Sequence, residues 1–224
     1  MTISTATDTK TELLEAAERL FAEHGIARSS LRAITREAGA NVASVNYHFG
    51  SKEGLVRAVF ARRLEPLNRE RLALLDRCLE SAKGKPELEC VLRALVGPAL
   101  LMMCDHEPGH RCFAELMGRA ITAPETRVRS ILLDEFREVK ERFTEVLATI
   151  LPHLSQEELF WRFHFMIGAM AHTVAGSFFV AKQSDGEVDT SDVEGMTLKL
   201  VNFLAAAMSA PSTNGPRKTR KRKK

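Results

Sequence analysis

Apolar residues recur every three or four positions along most of the chain, whereas the strict alternation typical of strands is nearly absent. This periodicity predicts an all-α protein. The first helix begins at a capping box, Thr9–Glu12, in which the threonine and glutamate side chains satisfy backbone N–H groups. Its apolar stripe ends near Gly25, a residue type that commonly terminates helices.

Two short helices follow, predicted at 31–38 and 42–48. Ser30 and Asn41 stand one position before them, where an oxygen-bearing side chain caps a helix N-terminus. A tight turn at Gly39 joins the pair and gives the outline of a helix-turn-helix. Together with the first helix, they predict a three-helix N-terminal domain.

Longer apolar stripes predict a larger helical domain in the rest of the chain. Ser51 can cap the helix that leads into it, and this helix should bend or stop before Pro66. Further helices are predicted at 66–82, 87–103, 113–120, 122–151, 155–182 and 191–208. The predicted organisation is a helix-turn-helix domain at 9–55, a helical domain at 56–210 and a basic tail at 211–224.

The composition is that of a soluble globular protein. The 224 residues are 45% hydrophobic, enough for cores in both parts. Residues 1–10 contain no apolar signal core. Four cysteines, at 78, 90, 104 and 112, are too few for a disulfide scaffold. These features predict a cytoplasmic protein with reduced cysteines.

The formal net charge of +3 hides an uneven distribution. Residues 217–224 carry seven cations and no acid, so the tail either contacts nucleic acid or only aids solubility. Residues 26–63 hold seven cations and two acids, whereas residues 1–25 hold two cations and five acids. Basic charge therefore accompanies the predicted helix-turn-helix, as binding to DNA phosphates requires.

The second short helix carries polar side chains suited to DNA. Ser44, Asn46, Tyr47 and His48 can bond base edges or phosphate oxygens, while Val42 can bury against the first helix. The alternative is an ordinary three-helix packing unit in which Tyr47, the only tyrosine of the chain, is a half-buried core residue.

A specific combination of residues links this segment to a known family. They are Ala16-Ala17, Leu20-Phe21, Gly25, Ile34, Ala38-Gly39, Tyr47-His48-Phe49, Ser51-Lys52-Glu53 and Leu55. The combination resembles the DNA-binding domain of TetR-type regulators. The resemblance implies a recognition helix at about 42–48 and DNA contacts from Arg32, Ser44, Tyr47, His48 and Lys52. Asn46 stands where many members carry an aromatic residue, and it is a further candidate DNA-binding residue.

The C-terminal part resembles one branch of the same family. Segments 59–68, 158–169 and 202–208 look like those of PsrA-type regulators, which respond to fatty acids. The resemblance implies a homodimeric repressor on a palindromic operator. It also implies that a long-chain fatty acid or its coenzyme A thioester releases the protein from DNA.

Methionine and phenylalanine residues provide candidates for an apolar effector pocket, because methionine packs adaptably. Plain core packing is the alternative for each of them. A ligand carboxylate would also need a donor or a cation, for which Arg119, His164 and His172 are the candidates. The apolar candidates are Met103, Phe113, Met117, Phe136, Met166 and Met170.

Residues 163–181 contain no Asp, Glu, Lys or Arg, over a length near that of a membrane span. His164 and His172 interrupt this segment, and Arg162 and Lys182 flank it. A helix that is apolar all round is also what a soluble bundle buries on two sides. We expect one side to face the domain core and the other a second subunit, with no membrane contact.

Cys104, His106, His110 and Cys112 place four potential metal ligands in nine residues. Their spacing matches no recognised zinc pattern, and an ordinary loop is favoured. No catalytic motif such as a Walker A sequence occurs. The expectation is a DNA-binding regulator with no enzymatic activity, metal or cofactor. The competing hypothesis is a helical lipid-binding or membrane-associated protein with no specific DNA target.

Overall fold

The structure, a computed structural model, describes residues 6–83, 85–104, 108–122 and 126–212. Within these ranges all regular secondary structure is helical, which confirms the predicted all-α class. The basic run at 217–224 lies outside the described residues. The helices are α1 (Ala6–His24), α2 (Leu31–Glu37), α3 (Val42–Phe49), α4 (Lys52–Ser81), α5 (Leu88–Cys104), α6 (Pro108–Thr122), α7 (Thr126–Glu135), α8 (Arg137–Ile150), α9 (Gln156–Gln183) and α10 (Val193–Ser209).

Side-chain caps begin three of the first four helices at the predicted residues. Ser30, Asn41 and Ser51 each accept a hydrogen bond from the backbone N–H three positions later, at 3.1, 2.9 and 3.0 Å. Gly39 has a φ of +61°, the left-handed backbone that favours glycine. Local sequence therefore fixes the path of the chain from α2 to α4.

Helix α4 runs unbroken through Pro66, so the predicted bend or stop before this residue is wrong. The flanking Leu64 and Leu67 are buried, and their packing offsets the hydrogen bond that proline does not make. Pro66 itself is exposed, so it lies on the solvent side of the helix. The helix also crosses the predicted boundary between residues 55 and 56.

Two apolar clusters form the interior of the described chain. The first cluster joins α1–α4 with α6 and α7 and contains the fully buried Phe21, Phe60 and Phe113. The second cluster joins the C-terminal half of α4 with α5, α8, α9 and α10 around Phe143. Met170 on α9 packs against both clusters. The middle of α4 therefore connects the two halves of the interior.

The single helix predicted at 122–151 is instead two helices, α7 and α8, with Phe136 between them. Asn68 on α4 gives the physical reason. Its Nδ2 donates a hydrogen bond to the carbonyl of Glu135 at 2.8 Å. In a continuous helix that carbonyl would accept from the N–H of Val139. A side chain distant in sequence thus interrupts the helix.

Cys78 on α4 and Cys90 on α5 form a disulfide. The expectation of reduced cysteines is therefore wrong for this pair, which the α4–α5 hairpin brings together. Cys112 is a free, partly buried thiol whose pKa is raised by burial first and by the nearby Glu18 second. The side chain of Cys104 lies outside the described residues.

Three helix starts differ from the sequence prediction and one agrees. Helix α1 begins at Ala6, so the capping box predicted at Thr9–Glu12 lies inside the helix and does not start it. Helix α6 begins at Pro108 rather than near residue 113. The N-cap of α10 is Asp192 rather than Ser191, because the Asp192 carboxylate accepts from the Gly195 N–H at 2.8 Å. Helix α9 begins after Ser155, as predicted. None of the helices in the described part of the chain could span a membrane.

Candidate nucleic-acid interface and effector region

Tyr47 on α3 is 82% exposed. Its ring packs edge-to-face against the ring of His48, with centroids 4.9 Å apart. Val45 is fully buried and anchors α3 to the first cluster. The hypothesis of a half-buried core tyrosine is therefore wrong. The expected burial of Val42 is also wrong, since this residue is 37% exposed at the start of the helix.

The other candidates on α2 and α3 differ in how free their polar atoms are. Arg32 and Asn46 are exposed, and His48 is partly exposed. The hydroxyl of Ser44 donates to Asn41 Oδ1 at 3.2 Å, so it also takes part in the cap of α3. The helix-turn-helix thus presents a cation, an amide, a phenol and an imidazole on two adjacent short helices.

Lys52 supports this surface in a way that the sequence did not indicate. Its Nζ donates to the carbonyl of Ile26 at 2.7 Å, which ties the start of α4 to the α1–α2 connection. The ammonium has further N–H groups for a phosphate.

Gly54 is a second structural support that the sequence analysis missed. A Cβ built on this residue would lie 2.0 Å from the carbonyl oxygen of Phe49. Glycine therefore permits the close approach of α4 to the end of α3, and this approach fixes the angle at which α3 is presented.

Ion pairing separates the seven cations of residues 26–63 into two groups. Arg57, Arg62 and Arg63 pair with Asp134, Glu15 and Glu18, at 3.3, 3.1 and 3.1 Å. The remaining four have no ion pair within the described residues, and they are Arg28, Arg32, Arg36 and Lys52. Positive charge without a protein counter-ion therefore concentrates around the helix-turn-helix, where phosphates can neutralise it.

The apolar effector candidates do not form one group. Phe113 and Met117 are buried in the first cluster, and Met166 is buried in the second. The side chain of Met103 lies outside the described residues. Phe136 and Met170 are partly buried against the first cluster, and Met170 also packs against the second, at the junction of the two.

The junction also holds Arg71, a residue that the sequence analysis did not single out. This α4 side chain is 3% exposed. Its guanidinium lies over the Phe136 ring, 6.0 Å from the centroid, and its Nη2 reaches the sulfur of Met170 at 3.7 Å. Burial lowers the pKa of Arg71 to about 10. The group is still charged at neutral pH, although its environment disfavours the charge.

The three polar effector candidates lie apart from this junction. Arg119 is exposed and lines a small cavity of about 160 Å³ between α1 and α6. His164 is exposed on α9, where its ring meets Trp161 edge-to-face at 6.1 Å. His172 is exposed and lines a cavity of about 480 Å³ between α9 and α10. Nothing in the structure brings the three together.

A cavity of about 550 Å³ opens between α4, α5, α6 and the start of α10. Its lining includes Arg63, Leu67, Pro98, Met102 and His110. None of the described effector candidates is among its lining residues. The cavity is therefore a further place for a ligand in the C-terminal domain.

A metal site finds no support in the part of the chain that the structure describes. No group of three or more His, Cys, Asp or Glu side chains there is arranged to hold an ion. Asp105 and His106, which belong to the cysteine–histidine segment, lie outside the described residues.

Two family profiles match the chain. Residues 13–59 match the bacterial regulatory proteins of the tetR family, and residues 93–207 match the tetracyclin repressor-like C-terminal domain. The N-terminal match spans α1–α3 and the start of α4. The C-terminal match runs from α5 to α10 and covers about half of the chain.

The curated relatives are transcriptional regulators whose sequence identity to this chain is low to moderate. The probable HTH-type regulator YttP of Bacillus subtilis is 26% identical over 155 residues, which cover 65% of this chain and 70% of YttP. The regulator TtgR of Pseudomonas putida is 34% identical over 91 residues, 41% of each chain.

Solved structures share the fold at lower identity. The fatty acid degradation regulator FadR of Bacillus halodurans has a TM-score of 0.58 and 16% identity, over 86% of this chain and 94% of its own. FadR of Bacillus subtilis in complex with stearoyl-CoA has a TM-score of 0.56 and 16% identity, over 88% of this chain and 97% of its own. At this identity the likeness establishes the fold alone.

Proposed function

The chain belongs to the TetR family of bacterial DNA-binding transcriptional regulators, and we propose that it is a homodimeric repressor released from a palindromic operator by a fatty-acid effector. The proposed site of action is the cytoplasm. The family comprises regulators rather than enzymes, and the proposal includes no catalytic step.

The exposed Tyr47 is the observation that carries the proposed mode of DNA recognition. At 82% exposure the ring and hydroxyl of Tyr47 are accessible to a base edge or a phosphate. In our proposal α3 enters the major groove, Tyr47 and Asn46 contact base edges, and His48 and Ser44 add contacts. Arg32 and Lys52 hold the phosphates on either side.

The outer face of α9 and α10 supports the proposed homodimer. It carries large apolar side chains that the single chain leaves 46–63% exposed. Trp161 and Phe165 stack on each other, with ring centroids 5.8 Å apart. An exposed apolar patch of this kind is typical of a subunit interface. The residues are Trp161, Phe165, Phe179, Val180, Leu198 and Phe203.

The proposed effector is a long-chain fatty acid or its coenzyme A thioester. Support comes from the resemblance to PsrA-type regulators and from the FadR fold, one example of which was solved with stearoyl-CoA. Methionine and phenylalanine side chains at the junction of the clusters give adaptable apolar walls. Each buried methylene of an acyl chain contributes about 0.8 kcal/mol.

Release requires that the effector bind the DNA-free conformation better than the DNA-bound one. A dimer contacts two half-sites at a fixed spacing, so a small rotation of the helix-turn-helix domains is sufficient to disrupt binding. Helix α4 belongs to both apolar clusters and is therefore the element through which we propose this rotation is transmitted.

The test is a titration of the protein–operator complex, using DNA from upstream of its own gene. Fatty acids and acyl-CoA thioesters of increasing chain length are added below their micelle concentrations. We expect release that grows with chain length. If neither class acts but an unrelated small molecule does, the fatty-acid effector is wrong. If no DNA fragment binds specifically while acyl chains do, the chain is a lipid-binding protein instead.

A further inference from the structure

Arg71 lies at the centre of a buried polar group on α4. Its Nε donates to the carbonyl of Leu95 on α5 at 2.8 Å, and its Nη1 donates to Asn68 Oδ1 at 3.3 Å. Asn68 in turn donates to Glu135 O between α7 and α8. Two of the three guanidinium nitrogens are thus fixed by good oxygen acceptors.

The third nitrogen, Nη2, has a much weaker partner. Nη2 donates to the thioether sulfur of Met170 at 3.7 Å. Sulfur of this kind is a poor hydrogen-bond acceptor. Methionine has three rotatable bonds and moves at little cost. A ligand oxygen can therefore take this place without disturbing the bonds to Leu95 and Asn68.

Arg71 also stands without a counter-ion among the described residues. No carboxylate in the described part of the chain forms an ion pair with it. Two partly buried arginines do have one, since Arg63 pairs with Glu18 and Arg162 pairs with Glu158 at 2.8 Å. A buried charge is normally paired because desolvation penalises it strongly. The lowered pKa of Arg71 reflects the same penalty.

Arg71 is one helical turn from the 550 Å³ cavity. Leu67 lines that cavity and precedes Arg71 by four positions on α4. Pro98 also lines it and follows Leu95, the acceptor of the Nε bond, by three positions on α5. Residues three and four apart lie on the same face of a helix. Arg71 does not itself line the cavity, but one helical turn on each of α4 and α5 connects its hydrogen-bonded groups to a lining residue.

We propose that Arg71 anchors the carboxylate of an apolar free acid, which displaces the Met170 sulfur from Nη2 and extends its chain toward the cavity at Leu67 and Pro98. This inference rests on the proposed function and deepens it. A planar carboxylate suits a guanidinium, which offers paired N–H groups.

The depth of Arg71 favours the free acid over the thioester. At 3% exposure it is placed to meet a compact headgroup, not the bulky nucleotide part of coenzyme A. In a thioester the acyl carbonyl is neutral, so it does not compensate the buried charge. Arg71 lies on α4, the helix that begins at the DNA-binding domain. A ligand bound to Arg71 therefore contacts the element through which we propose that the rotation is transmitted.

The test compares three probes of equal chain length: dodecanoate, 1-dodecanol and dodecanoyl-CoA. Calorimetry and thermal unfolding measure their binding to the full chain and to Arg71→Met and Arg71→Lys. We expect the wild type to bind dodecanoate at least tenfold tighter than dodecanol. Arg71→Met should lose this preference yet be at least as stable without ligand, because it removes an unpaired buried charge. Arg71→Lys should retain part of the preference.

The outcomes separate this inference from the proposed function. If acid and alcohol bind the wild type equally, or the thioester binds tightest, Arg71 is not a carboxylate anchor, although a fatty effector remains. If Arg71→Met unfolds at a lower temperature and still prefers the acid, Arg71 only caps the Leu95 carbonyl. If Arg71→Met fails to fold, the comparison of acid with alcohol on the wild type decides by itself. If no probe binds any protein, both proposals are wrong.

Discussion

At the scale of single residues, Tyr47 carries the account of DNA recognition. Tyr47→Ala removes an exposed ring from α3 without disturbing the buried Val45. We expect operator affinity to fall by about 1–3 kcal/mol, the usual worth of a specific base contact. Fluorescence anisotropy with a labelled operator measures the change, and circular dichroism checks that helicity is retained.

Tyr47→Phe provides the matched control for this prediction. It keeps the ring and its contact with His48 and removes only the hydroxyl. An effect confined to the hydroxyl appears in both variants, whereas an effect of the ring appears only in the alanine variant. Unchanged affinity in both variants, with the fold intact, would contradict the assignment of α3 as the recognition helix.

Sequence information was sufficient for residues whose role depends on their near neighbours. The caps at Ser30, Asn41 and Ser51 each bond a backbone N–H three positions away, so local pattern predicts them. Arg71 could not be identified in this way. Its contact with Met170 joins residues 99 positions apart, and only the tertiary fold, in which α4 and α9 both pack against α5, brings them together.

At the scale of elements, the junction of α3 and α4 depends on Gly54. Gly54→Ala should force α4 away from the Phe49 carbonyl, because a Cβ would lie 2.0 Å from that oxygen. We expect weaker operator binding together with a lower unfolding temperature. Gly118→Ala is the control: its Cβ would meet nothing within 4 Å, and helix propensity should stabilise it by about 0.5–1 kcal/mol. If the two variants show the same operator affinity and the same unfolding temperature, the close approach of α4 to the Phe49 carbonyl does not matter for either.

A second element-scale prediction concerns the ion pair between Glu18 on α1 and Arg63 on α4. Glu18 is 3% exposed and Arg63 is 18% exposed, so the pair is well shielded from solvent. Glu18→Gln leaves a shielded arginine without its charge partner, and we expect a loss of roughly 3 kcal/mol in the free energy of unfolding.

A double-mutant cycle measures the coupling energy of this pair. The exposed pair Arg93–Glu194 serves as the comparison, because solvent-exposed ion pairs contribute less than about 1 kcal/mol. If the Glu18–Arg63 coupling is no larger than that of the exposed pair, it does not hold α1 against α4.

Element boundaries followed the sequence where local signals decide and departed from it where tertiary contacts do. Helix α9 begins after its predicted cap, Ser155. Pro66 does not interrupt α4, because packing on both sides of it supports the helix. The break at Phe136 depends on Asn68, a residue 67 positions from the carbonyl that it binds. No local pattern near residue 136 contains that information.

At the scale of the whole molecule, the proposed dimer depends on the outer face of α9 and α10. Phe203 is 63% exposed there in the single chain. Phe203→Glu would place a charge in the subunit interface, and we expect it to convert the dimer into monomers with weaker operator binding. Light scattering after size-exclusion chromatography gives the mass directly. Glu145→Gln on the exposed side of α8 should leave the mass unchanged.

The result for Phe203→Glu also decides which surface forms the dimer. If the variant stays dimeric with an unchanged dimerisation affinity, the two copies associate through another surface. The apolar face of α9 and α10 would then need another partner.

The central claim is that this chain is a regulator that binds DNA as a dimer through α2 and α3. DNase I footprinting on the DNA upstream of its own gene tests it most directly. We expect one protected region with two half-sites related by a dyad, and we expect the protection to disappear with Tyr47→Ala. Protection that is absent, or that covers all sequences equally at physiological salt, would contradict the claim.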